Sequence, residues 1–431
     1  MWRSAGKGVA IDLLFSEKYG ILSAKMHSES FFMQNCISIT NDLFYLGGND
    51  RRIALFESAF PVPRGVSYNS YLLRDEKTVL FDTVDEAVGD LFFENLSHAL
   101  GGRALDYVVV HHMEPDHSAT LQRVLERYPA VTVVTTQKAA AMMKNYFGFS
   151  GNVRLVKEGD TLPVGAHTLQ FVLAPMVHWP EVMMTYVKEG GILFSADAFG
   201  TFGALHGSIF ADECDFEHDY LDDARRYYVN IVGKYGVQVQ NVLKKAAGLE
   251  ISLVCPLHGP VWRRDFGWYL GKYLTWSSYQ PEEKGVAVFY ASVYGHTQNA
   301  AEIVASAIAQ EGVKVRTYDV SVTHISELVS EAFRFSHAVF ASTTYNNGIF
   351  ISMEQLLADL KEHAWQNRAY AIVENGSWAP QAGALMEAEL SAMKNMRRIG
   401  EKATVLSAVN EQSREALVSL GKLVAGDVKQ N

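Results

Sequence analysis

The apolar run Tyr107-Val108-Val109-Val110 has the length of a buried strand. The residues after it, His111-His112-Met113-Glu114-Pro115-Asp116-His117, set four groups able to bind metal (His112, Glu114, Asp116 and His117) on one tight turn at the strand end. Pro115 stiffens that turn. Neither a hydrophobic core nor a helix cap calls for this density of imidazole and carboxylate. The chain must fold so that a strand carries this turn to a rim where further donors can meet it.

Those donors recur downstream. His178 lies in Ala174-Pro175-Met176-Val177-His178-Trp179-Pro180, after Phe171-Val172-Leu173. Asp197 follows Gly191-Ile192-Leu193-Phe194-Ser195, and His258 follows Ile251-Ser252-Leu253-Val254-Cys255-Pro256. Each candidate comes just past a predicted strand, as a site along one rim of a sheet sandwich requires. A lone histidine at a strand end is usually just hydrogen-bonded; the set is what points to metal. The seven candidates suffice for two ions, and a carboxylate such as Asp197 can bridge them with its two oxygens. Glu114 is a hard, anionic oxygen donor, which suits iron better than zinc.

The order H-x-E-x-D-H, then His, Asp and His, resembles the flavodiiron proteins, also called A-type flavoproteins. The zinc hydrolases of the metallo-β-lactamase superfamily carry H-x-H-x-D-H instead. The resemblance implies an αββα sandwich of the metallo-β-lactamase type holding a non-haem diiron centre. It implies one iron on His112, Glu114 and His178, a second on Asp116, His117 and His258, and Asp197 between them. In some members the counterpart of His117 is turned away from the metal. His111 is outside the pattern and reads as a neighbouring structural histidine.

A diiron oxidoreductase needs an electron source, and the second half of the chain offers one. The polar stretch Ser277-Ser278-Tyr279-Gln280-Pro281-Glu282-Glu283-Lys284 reads as a linker. Then comes a predicted parallel strand, Gly285-Val286-Ala287-Val288-Phe289-Tyr290. The loop Ser292-Val293-Tyr294-Gly295-His296-Thr297 and an amphipathic helix from Gln298 to about Ala309 follow. A hydroxyl-rich loop feeding a helix start is an anion site, although Ser or Thr there is more often only an N-cap. Two more strand ends carry Thr343-Thr344-Tyr345-Asn346-Asn347-Gly348 and Asn375-Gly376-Ser377-Trp378. Ligands bind at such carboxyl ends of open parallel sheets.

From about Gly285 to Leu423 the chain resembles flavodoxin, and most of all the flavodoxin domain of flavodiiron proteins, where Thr-Tyr-Asn-Asn-Gly is a recurrent second loop. The resemblance implies FMN, its phosphate on Ser292 to Thr297 and its ring between the second and third loops. Many relatives have a Gly-Ser-Tyr-Gly-Trp third loop. Here Gly376-Ser377 survive, the aromatic is shifted to Trp378, and Pro380 stiffens the exit.

The expected organisation is an α/β chain of two sheet domains. Residues 1–35 form an N-terminal extension, with Met26 as an alternative start; 36–277 form the diiron domain; 278–284 the linker; 285–431 the FMN-binding domain. Helices are expected at Ala119–Arg127, Gln137–Tyr146 and Tyr220–Ala247. No stretch is long enough to span a membrane, and a net charge of −10 argues against nucleic acid as partner. Cys36, Cys214 and Cys255 form no C-x-x-C pair, so no rubredoxin module is expected and the electron donor is a separate partner: rubredoxin, a flavoprotein reductase or reduced deazaflavin. Sparse cysteines suit a reducing cytoplasm.

The expected activity is reduction of O2 to water, of NO to N2O, or both. The family answers the separation of FMN and irons with a head-to-tail homodimer, possibly a tetramer. That arrangement is expected here, with Trp179 near the interface. His206 and Phe199–Leu205 are candidate pocket-lining residues. Two alternatives stand beside this reading: a zinc-dependent hydrolase with an accessory flavodoxin domain, and an electron carrier whose metal site has decayed.

Overall fold

The computed structural model describes residues 35–149 and 151–431. The N-terminal extension, apart from Asn35, and Met26 lie outside the described residues. Two sheets face each other in the first part of the chain. The first runs in chain order: β1 (Ile37–Ser38), β2 (Leu43–Tyr45), β3 (Tyr71–Arg74), β4 (Thr78–Phe81), β5 (Tyr107–Val109), β6 (Thr132–Thr135) and β7 (Val153–Leu155). Pairing is antiparallel from β1 to β4 and parallel from β4 to β7. The second holds β8 (Thr161–Pro163), β9 (Thr168–Leu173), β10 (Met183–Val187), β11 (Ile192–Phe194) and β12 (Leu253–Cys255).

Apolar side chains of both sheets fill the space between them: Phe81 and Val109 from one, Phe171, Met183, Phe194 and Leu253 from the other. The Phe81 and Phe194 rings stack at 3.8 Å between centroids and join the layers. Helices cover the outer faces, among them α1 (Gly89–Leu100), α2 (Pro115–Ser118), α3 (Leu121–Arg127) and α4 (Gln137–Phe147) on one side. The predicted Ala119–Arg127 helix starts at Leu121 and is otherwise continuous; Ala119 caps the preceding turn that carries Asp116 and His117.

The predicted Tyr220–Ala247 helix is broken more deeply. It consists of α5 (Leu221–Tyr227), a π-helical turn (Tyr228–Val232), a 3-10 turn (Gly233–Tyr235) and α6 (Gly236–Ala246). Gly236 explains the break: a Cβ there would lie 2.5 Å from the Ser277 carbonyl oxygen. The chain bends so that this backbone can touch the end of α7 (Phe266–Ser277).

The third sheet begins with β13 (Glu283–Ala291) and continues with β14 (Val315–Asp319), β15 (Phe335–Tyr345), β16 (Gly348–Ile349), β17 (Ala369–Asn375), β18 (Arg397–Arg398) and β19 (Ala403–Val405). The spatial order is β14-β13-β15-β17-β18, with β19 also on β17. All these pairs are parallel, and Val288, Val339 and Ala371 lie side by side across the centre. Helices α8 (His296–Gln310), α9 (Ile325–Arg334), α10 (Ile351–Glu362), α11 (Ala382–Ala392) and α12 (Glu411–Gln430) complete it. This is the flavodoxin strand order, with its switch point between β13 and β15.

Candidate metal centre and flavin cleft

His112 and Glu114 leave the end of β5, and Pro115 starts α2 so that Asp116 and His117 sit on its single turn. His178 comes from the loop after β9, Asp197 from the turn after β11, and His258 from the turn after β12. All seven sequence candidates meet at this rim in two groups: His112, Glu114, His178 and Asp197, then Asp116, His117 and His258. Among the described residues these are the clusters with metal-ligand spacing.

In the first group the Glu114 Oε2 atom lies 3.1 Å from His112 Nε2 and 3.0 Å from His178 Nε2. Asp197 Oδ2 is 3.3 Å from both imidazole nitrogens. In the second, Asp116 Oδ2 is 3.2 Å from His117 Nε2 and 3.1 Å from His258 Nε2. Asp197 Oδ1 is 3.0 Å from His117 Nε2. One carboxylate therefore turns one oxygen to each group. Such separations match neighbouring donors around one ion with bonds of about 2.0–2.2 Å. His117 points into the site.

The donors fit metal on a second count. Both oxygens of Asp116 and of Asp197, both ring nitrogens of His117, and His258 Nε2 are buried without a hydrogen-bond partner. Stranded buried carboxylates are costly unless something positive sits among them. Burial disfavours charge on His117 and His178, yet the neighbouring carboxylates override it and raise both imidazoles to about 9. Burial opposes ionisation of Asp197 as well, but His117 and His112 hold its carboxyl well below the usual range.

A supporting layer was invisible in the sequence reading. Glu181 Oε1 takes a 2.8 Å hydrogen bond from His112 Nδ1 and another from the Met113 N–H. The Ser67 carbonyl oxygen lies 2.7 Å from His258 Nδ1. Such partners fix ring orientation and leave Nε2 free for metal. Glu57, exposed as a whole residue, stands at the edge with its carboxyl beside Glu114; loss of water around the carboxyl, then the Glu114 charge, raise it. Neither Glu181 nor Ser67 carries a local sequence signal, since the atoms they touch lie in distant segments. His111 has both ring nitrogens engaged, by Asp82 and by Thr185 Oγ1 at 2.7 Å, so it is structural as expected. Asp82, Met176, Ala196 and Phe199 all have left-handed backbone, concentrating strain around the donors. Trp179 packs edge-on against His112, centroids 5.1 Å apart. His206 is exposed; Phe199 is buried beside the Asp197 turn.

At the switch point of the third sheet lies a cleft of about 680 Å³. Its walls include Ser292, Val293, Tyr294, His296 and Thr297 from the first loop, Thr343, Thr344, Tyr345, Asn346 and Asn347 from the second, and Asn375, Gly376, Ser377 and Trp378 from the third. Gly295 and Gly348 shape the turns instead. Ala379 and Ser407 also line it and were not foreseen; Ser407 follows β19, a strand too short to stand out. No Asp, Glu, Lys or Arg lines this cleft, which suits a neutral ring system with a phosphate held by N–H and O–H donors. Trp378 is 87% exposed, so its face is open to a planar ligand.

The loops are braced from behind. Thr344 Oγ1 accepts from the Gln381 and Ala382 N–H groups. Buried Glu374 is held by Lys402 at 2.7 Å, Thr404 Oγ1 at 2.8 Å and the Gly383 N–H at 2.9 Å. Pro380 folds back on Gly376, where a Cβ would lie 2.8 Å from the proline Cα. That close approach explains why Gly376 is glycine. The predicted second loop is shorter than expected: Thr343 to Tyr345 continue β15, and Thr344 and Tyr345 pair with β16 in a hairpin around Asn346-Asn347.

Comparison with known proteins agrees with both parts. The family model for ODP family beta lactamase matches residues 66–259, and that for flavodoxin matches 288–406. An anaerobic nitric oxide reductase flavorubredoxin of Aeromonas hydrophila is 32% identical over 349 residues, covering 79% of this chain and 70% of that protein. The rubredoxin oxygen:oxidoreductase of Desulfovibrio gigas superimposes with a TM-score of 0.86 at 26% identity, over 92% of this chain and 99% of that one. The flavodiiron protein of Giardia intestinalis does so with a TM-score of 0.83 at 25% identity, over 93% and 99%.

Proposed function

Because the chain belongs to the flavodiiron family of oxidoreductases, we propose that it reduces O2 to water, NO to N2O, or both, with electrons relayed by FMN to a diiron centre. The observation that carries this reading is Asp197, whose two oxygens face separate groups of donors. Bound in these sites, FMN would take electrons in pairs and deliver them to two irons offering adjacent positions for the gas.

The assignments that follow are part of the proposal. His112, Glu114 and His178 hold one iron, Asp116, His117 and His258 the other, and Asp197 both. Glu181 and the Ser67 carbonyl keep His112 and His258 in the tautomer that presents Nε2. Ser292 to Thr297 receive the FMN phosphate, and Tyr345 and Trp378 flank the ring. Residues 36–277 and 285–431 act as the two domains, joined through 278–284. Their centres belong to different sheets, so a head-to-tail homodimer pairs the flavin of one chain with the irons of another, with Trp179 near the contact.

A rubredoxin-type donor supplies the electrons. Three free cysteines suit the reducing cytoplasm. Zinc hydrolysis is disfavoured by Glu114 in the motif and by the flavin cleft.

The test is anaerobic stopped-flow of the iron-loaded, reduced protein against each gas, with product analysis. Rapid water or N2O formation is expected. Inertness toward both gases at two irons and one FMN per chain would sink the reading.

A further inference from the structure

A second large cavity, about 660 Å³, lies under the metal centre between the second sheet, α6 and α7. Its walls are aliphatic and aromatic, with Val242 and Leu270 along its length and Ala246 on its rim. Its inner end is closed by Val177, Ala198 and Phe199. Val177 immediately precedes His178, and Ala198 immediately follows Asp197. The cavity therefore stops one residue short of two candidate metal donors.

The end wall is an aromatic plug. Phe199 packs on Phe266 and Tyr273, with ring centroids 4.8 and 4.5 Å away. Its backbone is left-handed, φ 68°, and its N–H donates to the Tyr273 hydroxyl at 2.6 Å. Ser252, Arg263, Arg264 and Asp265 are polar members of the lining, whereas among its aliphatic and aromatic residues a polar occupant would lose its hydrogen bonds. Arg263 at the mouth is already paired with Asp212 and Glu213, at 3.0 and 2.6 Å, and is not free to hold an anion. Apolar walls favour apolar guests such as xenon.

We propose that this cavity is an antechamber for the gaseous substrate, which partitions into it from water and passes Phe199 to the metals. The inference rests on the gas-reductase reading and adds a route and a reservoir to it. An entry path separate from the rim would let gas arrive while that rim is covered by a flavin-bearing partner.

Crystals of the full, cofactor-loaded chain pressurised with xenon should show xenon between Phe199 and Val242. The rim variant Ala246→Trp should raise KM for the gas roughly fivefold or more with kcat within twofold of wild type. Lys244→Trp, on the exposed side of the same helix, should leave both unchanged. Xenon pressure during wild-type turnover reads the same cavity without substitution and should raise the apparent KM. A cavity without xenon, or an unchanged KM in both Ala246→Trp and xenon-pressurised wild type, would overturn the antechamber. Xenon bound in a chain that reduces neither gas would overturn the reductase reading alone.

Discussion

Glu181 accepts from His112 Nδ1 while Nε2 of the same ring faces Glu114 and Asp197. Removing its charge should loosen the imidazole without touching a donor atom. The Glu181→Gln variant is expected to lower metal affinity or activity by about 10–100-fold. Iron titration with FMN content as internal control checks it; wild-type iron affinity would show the contact to be idle. The candidate donors were legible as a group because they close apolar runs, and local pattern records that. Glu181, Glu57 and Ser67 were not, because the atoms they touch belong to distant segments. Nothing in Val66-Ser67-Tyr68 announces that a carbonyl there will meet His258.

Among the elements, the hairpin in the flavin cleft makes the sharpest demand. Asn346 and Asn347 have φ of 49° and 57°, the left-handed pair of a type I′ turn, joining Tyr345 to Gly348. Asparagine tolerates this conformation and a β-branched residue does not. Asn347→Val should cost about 1–2 kcal/mol and weaken FMN binding, because Tyr345 shifts with the turn. Asn347→Gly should keep both. Urea midpoints and flavin-fluorescence titration measure the pair; a valine variant as stable as wild type would show that the turn can be remade. Sequence spelled out the two asparagines but could not show that Thr343 to Tyr345 already belong to the strand. The broken helix after Tyr220 was hidden for a related reason. Its apolar periodicity runs on through Gly233 and Gly236, and only the approach of Ser277 shows why Gly236 is needed.

Over the whole molecule, the two halves are fastened by buried charge. Arg225 on α5 is 1% exposed and binds Glu282 at 2.6 Å; Lys272 and the Trp276 Nε1–H reach the same carboxylate. The Glu282 N–H donates to the Arg334 carbonyl at the end of α9, and Arg226 reaches Ser326 at its start. Arg225→Met strands part of that carboxylate charge and should cost about 3 kcal/mol in denaturant unfolding. Adding Glu282→Gln should recover part of the loss; a double variant less stable than the single would contradict this account. The α/β character was legible from strand–helix alternation and the plan of a sandwich followed by a flavodoxin-like sheet from the resemblance, whereas this fastening joins residues that look like ordinary surface charges in the sequence.

The order of the candidate donors along the chain also sets a clock. His258 is the last of them, and it is synthesised with roughly two-fifths of the 431 residues still to come. At about 5–20 residues per second, on the order of ten to thirty seconds pass before the ribosome finishes the flavin-binding half. During that interval a complete set of carboxylates and imidazoles exists with no flavin beside it. Divalent ions compete for such a set by availability as well as by affinity. A newborn molecule can therefore meet iron or a rival ion before any flavin is bound to the same chain.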